Sequence, residues 1–366
     1  MNQERCPLTQ LVLFSILLIS FLLPATPAKA EGNPLQSGQM PSATQASDKD
    51  AINFNLYIEN DTRYLGGPGT DSAYTSGVRL SFLYAQNKEP KWTHPFPWLR
   101  ALFEDHPYNF GMGVAQQLYT PEDLSRTELI SNDRPYAGWL YISPTLTVVH
   151  DKSVVVIELD LGVVGPYALG EKSQNGVHRY IGAQQAMGWD HQLGTEGGVE
   201  LSIQNKYTFF KLDTSNEHWR YMDVLPYYGE GFGNIYIGAD SGAILRMGYN
   251  LPADYGPARP SAGDGDPFIK SEGILQNSLK RHWSLYLFGG GKMDIVARNI
   301  FLDGNTFQNS PRVTKVPLVG EYEAGFFVQF KKISVTWREV TRTPEFYENF
   351  KSHTFASLEL SYGQRF

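Results

Sequence analysis

Two stretches of this 366-residue sequence carry side chains that could do chemistry. One places Asn60-Asp61 at the end of a predicted strand and Thr75 at the start of the next, and the other places Gln174 and His178 four residues apart. Residues four apart share one face of a helix, and a neutral His can accept a proton near pH 7. Asn and Asp are also common turn formers at strand ends, and an isolated loop His is often simply solvated. Spacing alone therefore leaves the chemistry of both stretches open.

Motifs of several enzyme classes are missing from the sequence. It contains no G-x-S-x-G turn, no H-E-x-x-H zinc motif and no G-K-[ST] phosphate loop. The glycine-rich GEGFG at 229–233 lacks the helix and spacing of a dinucleotide fingerprint. The single cysteine, Cys6, precedes the first apolar run, so the exported chain is expected to have neither a disulfide nor a thiolate metal ligand.

The N-terminus is organised like a signal peptide. The apolar run at 11–23 is shorter than the ~20 residues of a membrane-spanning helix, and an A-x-A pattern ends at Ala30. We therefore predict a signal peptide at 1–30, a flexible polar leader at 31–50 and one barrel domain at 51–366. A formal net charge of −7 without a basic run argues against nucleic acid as a partner.

Period-two alternation of apolar and polar residues dominates the rest of the chain, as in SVVVIELDLGVV at 153–164. A soluble sandwich would turn its polar face to water, whereas a membrane barrel turns its apolar face to lipid and its polar face to the lumen. Strand length, aromatic strand ends and the final Phe366, a pattern of bacterial outer-membrane proteins, favour the barrel. We predict an all-β fold, a transmembrane antiparallel β-barrel of about twelve strands with a short helix in an outer loop. The predicted strands are 52–59, 76–85, 109–118, 137–149, 153–164, 197–211, 219–230, 235–250, 281–296, 313–330, 331–342 and 354–366.

Topology places the two chemical stretches on one side of the membrane. With both termini in the periplasm, the predicted outer loops include 60–75 and 165–196. NDRPYAGWLY, residues 132–141, is predicted to be an outer loop that re-enters the membrane, with Trp139 and Tyr141 at headgroup depth. The inner connections at 86–108 and 251–280 are long for periplasmic turns.

Four motifs in this order resemble the outer-membrane lipid A 3′-O-deacylase (LpxR-like) family from about residue 52 to the end. They are ENDTR…DSAYTSG, GMGVAQQLYTPEDL, NDRPYAGWLY and DLGVVGPYALGEKSQNGVHRYIG…GWDHQL. The resemblance implies a twelve-stranded barrel in the bacterial outer membrane, a multi-pass location. It also implies an active site between the wall and an outer-loop helix, and calcium-dependent removal of the 3′-linked acyloxyacyl chain of lipid A.

The resemblance also assigns residues. The family's essential Asn-Asp pair matches Asn60-Asp61, its essential Thr matches Thr75 and its catalytic His matches His178. The family's Glu, six residues after the His, is replaced by Gln184, whose amide oxygen can ligate calcium but adds no charge. The implied metal ligands are thus Asp61, Asn60 and Gln184, and the implied partners are lipid A or lipopolysaccharide and the outer-membrane assembly machinery, with the chain a monomer.

These residue types suit ester hydrolysis at a membrane surface. We expect His178 to deprotonate water and calcium near Asn60, Asp61 and Thr75 to polarise the ester carbonyl. Two other functions remain open from the sequence. Gln184 would also suit a non-enzymatic barrel, either a porin or a structural protein, and Ser72 or Ser76 would suit an outer-membrane phospholipase with a serine nucleophile.

Overall fold

The structure is a computed structural model, and it describes residues 52–61, 73–84, 87–150, 152–213, 220–252, 254–257 and 283–364. The predicted signal peptide, the leader, most of the connection at 251–280 and the C-terminal Phe366 lie outside these ranges. Within them, no helix is long and apolar enough to cross a membrane.

Thirteen strands in the described part of the chain form one antiparallel sheet that closes on itself. Strand β1 pairs with both β2 and β13, and β6 pairs with β8, which completes the ring. The short β7 pairs with β8 next to the end of β6, so the wall contains twelve full strands and one extra piece. The predicted barrel is confirmed. The strands are β1 Ile52–Asn60, β2 Ala73–Leu83, β3 Tyr108–Thr120, β4 Ala137–Val149, β5 Ser153–Val164, β6 Glu196–Tyr207, β7 Phe210–Asp213, β8 Arg220–Gly233, β9 Tyr236–Tyr249, β10 Trp283–Asn299, β11 Leu318–Phe330, β12 Ile333–Arg342 and β13 His353–Gln364.

Two predicted strands differ most from the observed ones. The strand predicted at 197–211 is divided into β6 and β7, because β8 changes its partner along its length: Tyr227 pairs with β6 and Val224 with β7. The strand predicted at 313–330 begins at Leu318, directly after Pro317. A proline has no N–H to donate to a sheet ladder, so it favours a strand start.

The two faces of the wall differ as the alternation predicts. On β2, Val78 and Leu80 point outward and are exposed, whereas Arg79 between them points inward and is buried. The outward face is therefore suited to lipid, and the inward face carries the polar groups.

Ion pairs occupy much of the barrel interior. A buried charge is stable only when it is paired and hydrogen-bonded, and the inward-facing charges are arranged in this way. Buried pairs join Arg79 to Glu158 at 2.7 Å, Arg246 to Asp223 at 2.7 Å, Arg338 to Glu323 at 3.0 Å, Lys292 to Asp294 at 3.0 Å, and Arg342 to Glu321. The interior is therefore packed with paired side chains along these strands.

The prediction that Trp139 and Tyr141 lie at headgroup depth was wrong. Both point into the barrel and are at most 2 % exposed, with their rings stacked 5.1 Å apart. The reason is strand parity: the even-numbered residues of β4, such as Ile142, point outward, so the two aromatic residues must point inward. They belong to an interior cluster that also contains Tyr119 and Phe301.

Helical segments are short. Among the described residues, the α-helices are α1 Gly170–Ile181 and α2 Ile300–Asp303, and 3₁₀ turns cover Lys91–Thr93, Pro97–Leu102, Pro166–Ala168 and Trp189–His191. The predicted outer-loop helix is confirmed as α1. It ends at Gly182, whose positive φ of 73° lets its N–H reach the carbonyl of His178.

Arg134, from the NDRPYAGWLY stretch, anchors an outer loop to the barrel end. Its guanidinium is fully buried, lies 2.7 Å from the Glu345 carboxylate and also faces the Tyr119 ring. Burial alone would raise the pKa of Glu345, but Arg134 and Arg342 outweigh burial and lower that pKa from 4.5 to about 2. Ionised Glu345 therefore stabilises the folded state.

We expect Glu345→Gln to destabilise the barrel by about 3 kcal/mol at pH 7. The pKa is lower in the folded than in the unfolded chain. The wild-type advantage is thus fully present above pH 4.5 and lost as the pH falls towards 2. Urea unfolding in detergent micelles from pH 7 to 2 would measure it. A constant difference between the two proteins across this range would contradict the role given to the charge.

Candidate active site

Helix α1 lies against the outward face of the barrel wall at the outer ends of β3 and β4. The side chain of Gln116 donates a 2.6 Å hydrogen bond to the carbonyl of Ala168, just before the helix. A Cβ atom at Gly170 would lie 2.5 Å from the Trp189 ring and 3.1 Å from Leu118. Glycine at this position is what allows the helix to approach the wall so closely.

One face of α1 is buried against the wall. Gly170, Gln174 and His178 are its buried residues, and their spacing of four follows the helical repeat. The Trp189 indole donates a 2.9 Å hydrogen bond to the Gln174 side chain. Trp189 also packs with Leu118 in a small cluster, so the loop after the helix fixes the helix on β3.

His178 has a defined ring orientation. Its Nδ1 forms a short hydrogen bond with the main-chain carbonyl of Gln184. A carbonyl accepts and cannot donate, so Nδ1 carries the proton and Nε2 is the basic nitrogen of the neutral ring. The loop after α1 therefore selects the tautomer in which Nε2 can accept a proton.

The second group of predicted site residues lies where β1 ends and β2 begins, beside β3. The Asn60 side-chain amide and the Asp61 N–H both donate to the Thr75 carbonyl, at 3.3 and 3.4 Å. The Thr75 hydroxyl lies 2.6 Å from the Thr120 hydroxyl of β3. A register shift between Tyr74 and Ser76 places Thr75 in a bulge, which turns its side chain out of the regular alternation.

Strand β3 connects the two groups. Thr120, Leu118 and Gln116 alternate along its outward face, with Thr120 touching Thr75 and the other two touching the α1 segment. Asn60, Asp61 and Thr75 therefore form one contact group at the outer end of the wall, and His178 lies on the helix packed against the adjacent strands. The sequence did not lead us to predict Thr120 as a site residue. Alternation along β3 places it on the same face as Gln116, and this pattern could have identified it.

Gln184 contacts the candidate site through its main chain. The residue is exposed, and the contact that it makes with the site is through its main-chain carbonyl to His178. Its role as a metal ligand stays a prediction. Among the described residues, no group of three or more His, Cys, Asp and Glu side chains is arranged to hold a metal ion.

A closed antiparallel barrel with an apolar outward face and a polar interior defines this protein as an outer-membrane β-barrel protein. A family model described as outer membrane protein LpxR matches residues 13–364. The chain therefore belongs to the LpxR family of outer-membrane proteins.

Two solved structures align with most of this chain, and the first of them shares its fold. LpxR from Salmonella typhimurium aligns over 85% of this chain and 99% of its own, with a TM-score of 0.67 and 18% identity. The β domain of the Bordetella autotransporter BrkA aligns over 87% of this chain and 98% of its own, with a TM-score of 0.36 and 10% identity. No curated protein sequence matches this chain significantly.

Proposed function

We propose that this protein hydrolyses the 3′-linked acyloxyacyl ester of lipid A in the outer leaflet of the outer membrane. The observation that carries the proposal is the placement of His178, which is buried on the wall-facing side of α1 with its Nδ1 bound to the Gln184 carbonyl. This arrangement holds a base at the outer, lipid-facing side of the barrel, where an outer-leaflet lipid would present its ester. The resemblance of this chain to the family supplies the substrate class, an ester of lipid A.

The side chains have complementary roles in this reaction. Nε2 of His178 takes a proton from water, and the Gln184 carbonyl then stabilises the resulting imidazolium through Nδ1–H. Gln174 holds Trp189, and so keeps α1 and its His in place. Asn60, Asp61 and Thr75 are expected to bind the polar ester region, because Asn60 and Asp61 both contact the Thr75 carbonyl at the adjacent strand ends.

Calcium is compatible with the donor atoms at Asn60, Asp61 and Thr75. Carboxylate, amide and hydroxyl oxygens are hard ligands, the type that calcium prefers. This set of donor atoms has one carboxylate, that of Asp61, because Gln184 replaces an acidic residue and is exposed. We therefore expect a lower calcium affinity than a carboxylate-rich site would have. When bound, calcium would offset negative charge on the ester oxygen.

The porin alternative has less support. A water-filled channel needs an open lumen, whereas the buried ion pair between Arg79 of β2 and Glu158 of β5 joins strands that are not neighbours and so spans part of this interior. For the phospholipase alternative, Ser72 lies outside the described residues, and Ser76 lies within β2, where it pairs with Leu118. Trapping by a serine-directed inhibitor would favour that alternative.

The test is mass spectrometry of lipid A from outer membranes that contain this protein, with calcium and with a chelator. We expect loss of the 3′ acyloxyacyl mass with calcium and at least a tenfold slower loss, about 1.4 kcal/mol, under chelation. Unchanged lipid A from a folded, inserted barrel would disprove the deacylase function. Equal cleavage in both conditions would keep the hydrolase and disprove the calcium requirement.

A further inference from the structure

An apolar trough runs along the outward face of the wall below the candidate active site. It has a volume of about 670 Å³ and crosses β1, β2 and β3, with further contributions from β4, β12 and β13. Its lining includes Phe54, Leu56, Leu80, Met112 and Val114. Ligand pockets commonly measure roughly 300–1,000 Å³, so the trough is large enough for part of a lipid.

The trough has a boundary at each end, which distinguishes it from the rest of the lipid-facing wall. Along the outward face of β3, Leu118 and Gln116 are covered by the α1 segment. Val114 and Met112 follow and line the trough. Phe110 is the next residue on this face, and it is covered at the inner end of the trough.

The inner boundary is formed by the connection between β2 and β3. Its residue Phe103 is buried against Phe110 at a ring distance of 5.3 Å, and Trp92 contacts the same ring at 5.5 Å. Leu146 and Val148 of β4 belong to this cluster. The described part of the long inner connection, residues 87–107, thus folds back over the wall instead of forming a simple periplasmic turn.

The upper end of the trough is continuous with the candidate active site. Leu80 is followed on the same face of β2 by Val78 and Ser76, next to Thr75, and Leu56 is followed on β1 by Ile58 and Asn60. The six steps along β3 from Gln116 to Phe110 extend ~20 Å along the strand, or ~15 Å in depth at the usual tilt. This depth is about half of a ~30 Å hydrocarbon core, the thickness of one leaflet.

We propose that this trough binds one fatty acyl chain of the ester lipid cleaved at His178, and that the Phe103–Phe110 contact sets the longest chain that fits. The occupant is a hydrocarbon chain because the lining is apolar, opens to the bilayer and ends at leaflet depth. The inference rests on the proposed function and adds to it a determinant of chain length.

Two Leu→Trp variants test the proposal by activity. Leu80→Trp fills the trough, and Leu245→Trp makes the same change on the outward face of β9, on the opposite wall. The measurement is kcat/KM for lipid A with long and with short 3′ chains. We expect Leu80→Trp to reduce the preference for long chains about tenfold, the effect of roughly two methylene groups, and Leu245→Trp to leave it unchanged. An unchanged preference in Leu80→Trp would overturn the proposal.

A binding measurement separates this proposal from the proposed function. His178→Ala protein is mixed with lipid A carrying a photoreactive diazirine in the 3′ acyl chain, and the labelled peptides are mapped by mass spectrometry. Labelling concentrated on β1–β3 supports the trough, and equal labelling of β9 overturns it. If the wild-type protein cleaves no ester lipid, the proposed function fails, and the labelling pattern still decides whether the trough binds the chain.

Discussion

His178→Ala is expected to reduce lipid A hydrolysis by about 10²–10⁴-fold, the usual contribution of a positioned general base. The ring is held by the Gln184 carbonyl at Nδ1, so Nε2 is available as the proton acceptor in the neutral tautomer. Removing the ring leaves water without a base, while the wall and the Asn60–Thr75 contact are untouched. The measurement is the rate of 3′ chain release by purified protein in mixed micelles.

His191→Ala is the matched control for this variant. His191 belongs to the same outer loop, in the 3₁₀ turn Trp189–His191, but it is exposed, whereas Trp189 is the buried residue of that turn. We expect it to keep wild-type activity. Wild-type activity in His178→Ala, or an equal loss in both variants, would show that His178 is not the base.

Sequence periodicity predicted the wall well because a barrel strand has two chemically different faces. On β2, Val78 and Leu80 lie on one face and Arg79 lies on the other, and this alternation was enough to assign outward and inward positions. The prediction for Trp139 and Tyr141 failed because it relied on the aromatic residue type, and aromatic residues also fill barrel interiors. In that strand, parity was better evidence than residue type.

The candidate site was predictable in part. The i, i+4 spacing of Gln174 and His178 identified the helix face that is buried. The residue roles came from the family resemblance, because Asn60 and Asp61 have the composition of an ordinary turn. The contact between Gln184 and His178 could not have been predicted, because a main-chain carbonyl has the same chemistry at every residue and leaves no signal in the sequence.

The fold of the inner connection was also beyond the sequence. Its long span was evident, but period-two patterns describe strands and not a segment that folds back over a wall. Phe103 is buried by outward residues of β3, which follows it directly, and by Leu146 and Val148 of β4, which come much later in the sequence. Such a contact depends on tertiary packing, which local patterns do not record.

Arg79→Met is expected to destabilise the barrel by about 3–5 kcal/mol, the usual cost of leaving one member of a buried ion pair alone. Arg79 holds both oxygens of Glu158, at 2.7 and 2.9 Å, and both residues are at most 2 % exposed. Without the guanidinium, the Glu158 carboxylate keeps a 3.2 Å hydrogen bond from Thr145 but loses its bidentate partner. Urea unfolding in detergent micelles measures the change.

The double variant Arg79→Met/Glu158→Leu distinguishes a buried charge from a packing defect. If the cost arises from the unpaired carboxylate, removing it as well should restore most of the stability, because well-packed apolar residues often replace a buried ion pair without loss. If the cost arises from lost packing, the double variant should be at least as unstable as Arg79→Met. Lys351→Met removes the exposed pair with Glu122 and should change stability little, since exposed ion pairs are solvated and screened. A small effect for Arg79→Met, no larger than that of Lys351→Met, would mean that the interior pair does not hold this barrel together.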